Sequence, residues 1–141
     1  MTLLVDAGPV IATADPTSIH GRHVQALLKA VDDVLVTSAQ ITAEVDYLVG
    51  TRFGDRPRRG FLRDLAKGAI RVECLQPGDY DTIVALEEQY ADLRPGLSDL
   101  SLVVLAERLR TRRILTFDQR QFRVITPLQG GSFEILPADL P

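Results

Sequence analysis

The chain has 141 residues, 45% of them hydrophobic, and a formal net charge of −3, which fits one domain spanning residues 1–141 and argues against a simple nucleic-acid coat. Cys74 is the only cysteine, which excludes an internal disulfide and a cysteine-based metal site and agrees with a cytoplasmic location. We expect neither secretion nor membrane insertion, because the start of the chain lacks a signal peptide and no apolar run approaches roughly 20 residues.

Strands and helices alternate along the first half of the chain. Residues 2–5 form an apolar run that predicts a buried strand, and the turn Asp6-Ala7-Gly8-Pro9 leads from it into a helix with proline near its start. The spacing of apolar residues then predicts, in order, a helix over 20–31, a strand over 34–37, a helix over about 40–50, a basic loop over 52–59 and a helix ending near Gly68.

The second half continues this alternation. The predicted elements are a strand over 70–75, a helix over 79–93, a helix from about Ser98, a strand over 113–116, a turn or short helix over 118–122 and an edge strand over 132–136. The helix from Ser98 is apolar almost all round, which predicts a central, buried helix. Together these elements predict an α/β fold, a three-layer sandwich with a mostly parallel sheet flanked by helices.

Two aspartates follow predicted strands. Asp6 comes directly after the first strand, and Asp118 follows the fourth strand after Phe117. Ligands of parallel sheets bind at the carboxyl ends of the strands, so both carboxylates are expected on that edge.

Two further acids stand out within apolar helices. Glu44 lies at the edge of an apolar stripe and is predicted to face inward, whereas Asp46 points roughly the opposite way and is a candidate surface or supporting residue. Asp99 lies at the start of the apolar helix and is predicted to be buried or half-buried. The same criterion also selects Glu87, so spacing alone does not identify a site.

Several inward-facing carboxylates repel one another, and a divalent cation relieves that repulsion. Magnesium or manganese accepts carboxylate and water ligands and supports phosphodiester hydrolysis. Local roles are the alternative: Asp6 and Asp99 could favour helix N-termini, Asp118 could shape an Asx turn, and Glu44 could pair with an arginine.

The basic residues are almost all arginine, which suits phosphate recognition. They form two groups, which are also consistent with ordinary solvated helix faces: Arg52, Arg56, Arg58, Arg59 and Arg63 in the first, and Arg108, Arg110, Arg112 and Arg113 in the second. His20 and His23 are three residues apart, but no third ligand lies nearby in the sequence, so surface histidines are expected rather than a zinc site.

Four segments resemble the acidic motifs of PIN-domain VapC toxins: LLVDAGPVIA, AQITAEVDYLV, GLSDLSLVVLAERL and RILTFDQRQFRVI. The resemblance extends from Leu3 to about Pro137 and implies a single PIN domain over 1–141. It implies that Asp6, Glu44, Asp99 and Asp118 surround one or two magnesium ions, with Asp6 and Asp99 as principal ligands. Thr116 matches a hydroxyl residue that orients water or phosphate.

The resemblance also implies a function. Such proteins are magnesium-dependent endoribonucleases in which manganese can substitute, they cleave RNA such as tRNA or rRNA, they are neutralised by a VapB-type antitoxin and they usually form homodimers. The arginines of residues 52–59 then become candidates for RNA contact. One departure is Ala7-Gly8, where many relatives carry threonine or serine, so a supporting hydrogen bond is expected to be missing.

Other functional classes fit less well. Ala7-Gly8 favours, as the main alternative, a degenerate PIN module that binds RNA or protein without cleavage. A haloacid-dehalogenase-like phosphatase would need a second aspartate where Gly8 stands. A receiver domain would need paired acids after the first strand and a lysine after a late strand, and the only lysines, Lys29 and Lys67, are wrongly placed.

Overall fold

The computed structural model describes residues 1–141. Its strands are β1 (Thr2–Val5), β2 (Val34–Ser38), β3 (Arg71–Glu73), β4 (Arg113–Leu115) and β5 (Glu134–Leu136). Its helices are α1 (Ala7–Thr13), α2 (Ile19–Ala30), α3 (Ala39–Phe53), α4 (Asp55–Ala66), α5 (Pro77–Gln89), α6 (Leu97–Arg108) and α7 (Gln119–Val124), with a 3-10 turn at Ala91–Leu93. No helix is both long and apolar enough to cross a lipid bilayer.

All five strands form one sheet in the order β3-β2-β1-β4-β5, and every pairing is parallel. The predicted sheet is therefore confirmed, and it is wholly parallel. Its strands end at the same edge, with β1 in the centre. This edge carries the residues that immediately follow β1 and β4.

Alternating strand residues pack on opposite faces of the sheet. Leu3, Val5, Leu115 and Leu136 form a small core with α2 on one face. On the other face, Leu4 and its neighbours in β2, β4 and β5 pack into a larger core with α3, α5 and α6. Burial on both faces confirms the predicted three-layer sandwich.

Helix α6 is the central helix of the larger core. Every residue from Leu100 to Ala106 is buried, including Ser101. This confirms the prediction from its nearly continuous apolar sequence. A helix packed so tightly holds Asp99, in its first turn, in a fixed position relative to the sheet.

Helices α1 and α2 approach each other closely at Gly21. A Cβ atom placed on Gly21 would lie 2.1 Å from the carbonyl oxygen of Ala12. Only glycine therefore fits the crossing of these two helices.

The basic loop predicted over 52–59 was wrong. Helix α3 continues to Phe53, Gly54 alone breaks the chain with a φ of 92°, and α4 begins at Asp55. Pro57 lies in the first turn of α4, where a missing backbone N–H breaks no helical hydrogen bond. The arginines of this region consequently project from two helices.

Other boundaries shifted by a few residues. The helix predicted to reach residue 93 ends at Gln89 and is followed by the 3-10 turn. Strand β3 contains only three residues because it pairs with the last three of β2. A turn or short helix was predicted over 118–122; α7 begins at Gln119 and extends to Val124, and Asp118 caps it.

Candidate active site

The four sequence-predicted acids come from four different elements. Asp6 follows β1, Glu44 lies in α3, Asp99 lies in the first turn of α6, and Asp118 precedes α7. Charge repulsion from each of the other three raises the pKa of Asp99, so the structure brings all four carboxyls into one electrostatic cluster. Placement at the carboxyl edge of the sheet thus joins residues that are more than a hundred positions apart.

Asp6 is the buried centre of this cluster, with 7% of its surface exposed. Its Oδ1 accepts a hydrogen bond of 2.8 Å from the amide of Ala7, and its Oδ2 accepts one of 2.7 Å from the hydroxyl of Thr116. Burial raises the pKa of Asp6, these two hydrogen bonds oppose the rise, and the charge of Asp118 adds to it. Asp6 is therefore a desolvated carboxyl held in one orientation.

Thr116 connects two of the acids. While its hydroxyl donates to Asp6, its oxygen accepts a 3.0 Å hydrogen bond from the amide of Asp118. The exposed side chain of Asp118 in turn accepts from the amide of Gln121 at 3.2 Å and caps α7. Asp6 thus receives a side-chain hydrogen bond from Thr116, a residue far away in the sequence, although Ala7 and Gly8 offer no hydroxyl group.

Asp99 is half-buried, as predicted. Its Oδ2 accepts a 3.3 Å hydrogen bond from the amide of Gly96 at the start of α6. Burial contributes most to raising the pKa of Asp99 from 3.8 to about 6, and the charge of Asp6 comes next. The local roles considered for Asp6 and Asp99 at helix starts are present, and Asp118, considered as an Asx-turn residue, caps α7. These roles coexist with mutual repulsion among the acids.

Glu44 corrects one prediction, because its side chain is exposed and does not face inward. The buried stripe of α3 consists of Ile41, Val45 and Val49, and Glu44 lies beside it at the surface. Partial loss of hydration and the charge of Asp6 still raise the pKa of Glu44. Glu44 therefore borders the cluster from its solvent side.

The other two acids singled out by helical spacing lie in different environments. Asp46 forms an ion pair of 3.1 Å with Arg58, so it ties α3 to α4. Glu87 is exposed on α5 and belongs to no ion pair. Periodicity selected Glu87 because it cannot distinguish a helix edge near a site from one facing water.

The potential metal ligands of the cluster are carboxylates. No group of three or more histidine, cysteine, aspartate or glutamate side chains is arranged to hold a metal ion by itself. The four carboxyls are nevertheless close enough for the charges of the other three to raise the pKa of Asp99. Magnesium keeps several waters and needs only one or two direct carboxylates, so this donor set fits it.

Two serines that no sequence pattern singled out form a buried contact between two helices that carry acids of the cluster. The hydroxyl oxygens of Ser38 and Ser101 lie 2.6 Å apart, and both residues are fully buried. Ser38 also accepts a 3.1 Å hydrogen bond from the amide of Ile41 and caps α3. The pair joins α3 to α6, the helices that carry Glu44 and Asp99. Ser101 was detectable only as a polar residue on an otherwise apolar helix face.

The two arginine groups have different roles. Arg52, Arg56 and Arg63 are exposed and take part in no ion pair. In the second group, Arg108 forms an ion pair with Asp79 of α5. Arg113 forms ion pairs with Asp33, which precedes β2, and with Glu134 of β5. Arg112 is in no ion pair but donates to the backbone carbonyls of Gly130 and Gln129. The first group therefore retains three free guanidinium groups, and the second retains only that of Arg110.

The histidines are exposed, as predicted for surface residues. The ring of His20 lies 5.9 Å from that of Phe117, at an interplanar angle of 59°. Gly8 lies beneath Phe117, since a Cβ at Gly8 would be 3.4 Å from Cδ2 of the phenylalanine. Gly8, which belongs to the departure from the family pattern at Ala7-Gly8, is therefore within contact distance of Phe117. Phe117 lies between Thr116 and Asp118 in the sequence.

Comparison with known proteins gives a consistent result, although no family model matches the chain. The chain is 35% identical to Ribonuclease VapC26 of Mycobacterium tuberculosis (strain ATCC 25618 / H37Rv) over 135 residues, covering 96% of this chain and 100% of that protein. The structure is similar to that of Mycobacterium tuberculosis VapC20, described as a sarcin–ricin loop cleaving toxin, with a TM-score of 0.77. That likeness covers 84% of this chain and 91% of the other and, at 15% identity, concerns the fold alone.

Proposed function

This chain belongs to the VapC ribonuclease family, and on that basis we propose that it is a magnesium-dependent endoribonuclease toxin neutralised by a VapB-type antitoxin. The observation that carries the metal-dependent part is the desolvated Asp6 beside the half-buried Asp99, whose mutual repulsion a divalent cation would relieve. Manganese, with similar ligand preferences, is expected to substitute.

Each acid has a proposed role. Asp6 and Asp99 would hold the ion directly, and Glu44 and Asp118 would hold its water ligands, because those two are exposed. The bound ion would activate water and neutralise charge on the phosphodiester. Thr116 keeps Asp6 oriented and favours its ionised form. The free arginines of α3 and α4 would hold the RNA backbone.

The RNA substrate is proposed as rRNA or tRNA, in the cytoplasm. VapC20 is described as cleaving the sarcin–ricin loop, so a hairpin of that loop is the first rRNA probe. Purified antitoxin-free protein would be incubated with this hairpin, total rRNA and total tRNA in magnesium or manganese, with and without chelator. We expect discrete fragments that disappear on chelation.

Two site variants and a matched acidic control sharpen this experiment. Asp6→Asn and Asp99→Asn each remove one proposed ligand and should abolish cleavage. Glu87→Gln removes an exposed carboxyl outside the cluster and should cleave as wild type does. If wild type and both site variants are equally inactive on every RNA while calorimetry detects metal binding, a degenerate binding module is the better assignment.

We propose that the antitoxin binds in a groove of about 610 Å³. This groove lies between α1, α2, β2, α3 and α4. Nine of its 14 lining residues are hydrophobic, which suits an apolar segment of a partner polypeptide. Gly60 lines this groove, and a Cβ on it would meet nothing within 4 Å. A side chain at this position would therefore start in open space and could extend into the groove.

The antitoxin assignment is tested with a pair of substitutions at Gly60. Gly60→Trp should weaken neutralisation by the cognate antitoxin while RNA cleavage persists, and Gly60→Ala should retain both. Equal neutralisation of both variants would place the antitoxin elsewhere. We also propose a homodimer, on family membership alone, and light scattering of the purified protein checks it.

A further inference from the structure

A second cavity adjoins the acid cluster at the carboxyl edge of β4 and β5. Its volume is about 380 Å³, within the range of small-ligand sites. Its walls are His20, Thr116, Phe117, Gln119, Pro137 and Ala138. Thr116 belongs both to this cavity and to the acid cluster, where it donates to Asp6. Whatever occupies the cavity therefore lies next to the proposed site of phosphodiester cleavage.

Phe117 is the distinctive residue of this cavity. It lies between the buried Thr116 and Asp118, yet it is 41% exposed and belongs to neither hydrophobic core. Its ring contacts His20 on one side, and Gly8 leaves space for it on another. An aromatic ring held at the surface beside an acid cluster is not explained by core packing.

Nucleobases suit such a surface, since RNA-binding proteins stack unpaired bases on aromatic side chains. We propose that this cavity binds one nucleobase of the RNA substrate, adjacent to the cleaved phosphodiester and stacked on Phe117. His20 and Gln119 supply the hydrogen-bonding groups of the wall. The inference rests on the proposed function in taking RNA as the ligand, and it adds a base-binding subsite to it.

The size of the two cavities favours a base over a peptide here. This cavity has about 380 Å³, against about 610 Å³ for the groove proposed for the antitoxin. Its surface is mostly apolar, and His20, Thr116 and Gln119 place polar groups beside the ring of Phe117. A small cavity of this kind matches a flat heterocycle with polar edges, and a peptide segment is better matched by the larger groove.

The test is a binding measurement that needs no knowledge of the cellular target. Four single-stranded 12-nucleotide RNAs, each with one base type, and an abasic ribose-phosphate 12-mer would be titrated by fluorescence anisotropy. The protein would carry Asp99→Asn to prevent cleavage, alone or combined with Phe117→Ala, Phe117→Trp or Val34→Ala. Val34 is an exposed apolar residue at the start of β2, at the opposite edge of the sheet.

We expect Phe117→Ala to weaken binding of at least one base-bearing RNA by about fivefold or more, as stacking energies of single bases imply. Binding of the abasic strand should not change, because that strand offers nothing to stack. Phe117→Trp should retain affinity, and Val34→Ala should have no effect on any strand. An equal loss of affinity for base-bearing and abasic strands, or no loss of affinity at all, would contradict the proposed subsite.

A spectroscopic signal distinguishes stacking from a structural role of Phe117. The chain contains no tryptophan, so Phe117→Trp introduces a single indole into the cavity. Its fluorescence should be quenched by base-bearing RNA and not by the abasic strand. Absence of quenching despite RNA binding would also overturn the subsite.

These experiments distinguish failure of the base-binding subsite from failure of the proposed ribonuclease function. If wild type cleaves RNA but Phe117→Ala binds every strand like its parent, the subsite fails and the nuclease stands. If no RNA is cleaved but base-dependent binding requires Phe117, the subsite stands and the nuclease fails. If Phe117→Ala weakens antitoxin binding and leaves RNA binding unchanged, the cavity is a protein site and the proposal is wrong.

Discussion

The hydroxyl of Thr116 donates a 2.7 Å hydrogen bond to Oδ2 of Asp6, across 110 positions of sequence. Both residues are buried, and they follow neighbouring parallel strands, β1 and β4. The bond favours the ionised form of a carboxyl whose pKa burial raises. The parallel alignment of β1 and β4 therefore influences the charge state of Asp6.

Replacing Thr116 with valine should lower kcat/KM for RNA cleavage by about 10- to 100-fold, the usual effect of losing a residue that orients a metal ligand. The variant keeps the shape of the side chain but removes the O–H donor. Without that donor the pKa of Asp6 rises further, so less of the carboxyl is ionised at a given pH. The acid limb of the pH–rate profile should therefore move to higher pH.

Thr116→Ser serves as the control because it retains the hydroxyl. It should restore most of the activity and the original pH profile. Equal profiles for valine and wild type would show that the hydrogen bond has no part in setting the charge of Asp6.

Asp99→Asn should stabilise the metal-free protein at neutral pH. Because the pKa of Asp99 is raised from 3.8 to about 6, the folded state binds more protons than the unfolded state between those values. The free energy of unfolding therefore falls as the pH rises from 3.8 to about 6, and the full destabilisation by ionised Asp99 is present above that range. Asparagine carries no charge and avoids the penalty.

Thermal unfolding in chelator measures this effect. The Tm of the variant should exceed that of wild type by on the order of 3 °C at pH 7.5, and the difference should shrink toward pH 4. Added magnesium should narrow the gap at pH 7.5, because it stabilises wild type more. A Tm difference that is independent of pH would contradict repulsion at Asp99.

Substituting Arg52, Arg56 and Arg63 with glutamine should weaken RNA binding and reduce its salt dependence. Each lost phosphate contact on single-stranded RNA lowers the slope of log K against log salt by about 0.7. Arg110→Gln is the control, since it removes one exposed arginine that follows α6 and lies outside the first group. An unchanged slope in the triple variant would exclude the helix α3–α4 arginines as RNA contacts.

Gly21→Ala should destabilise the protein by about 1–3 kcal/mol, because its methyl group would lie 2.1 Å from the carbonyl oxygen of Ala12. Denaturant unfolding measures the change. Gly60→Ala is the matched control, as its methyl group enters open space in another helix and should be neutral or slightly stabilising. Equal stabilities of the two variants would mean that α1 and α2 separate at little cost.

Sequence patterns predicted the position of a candidate acid best where that acid follows a strand. Asp6 and Asp118 were placed correctly because parallel strands all end at one edge. Asp99 was placed correctly because α6 is apolar on nearly every side. Glu44 was misplaced as inward-facing, since a residue at the edge of a helical stripe turns toward solvent or core according to what packs beside it.

Local signals also failed where two helices meet with almost no linker. Gly54 and Pro57 resemble a loop, but one glycine with positive φ suffices to end α3, and proline is tolerated in the first turn of α4. The arginines of the predicted loop over 52–59 therefore lie on helices. Sequence periodicity could not show this, because it records spacing and not the path of the backbone between elements.

By itself the sequence determined the α/β alternation, the parallel sheet and the buried α6, because hydrophobic spacing and strand ends are local properties. The four acids were selected by the resemblance to PIN-domain VapC toxins, since helical spacing alone also selected Glu87. Only the tertiary structure decided that Thr116 supports Asp6, that Ser38 meets Ser101, and that Phe117 borders a cavity beside the acids. These relationships depend on contacts between residues distant in the chain. Their geometry is fixed when the strands align and the helices pack, and no local pattern encodes it.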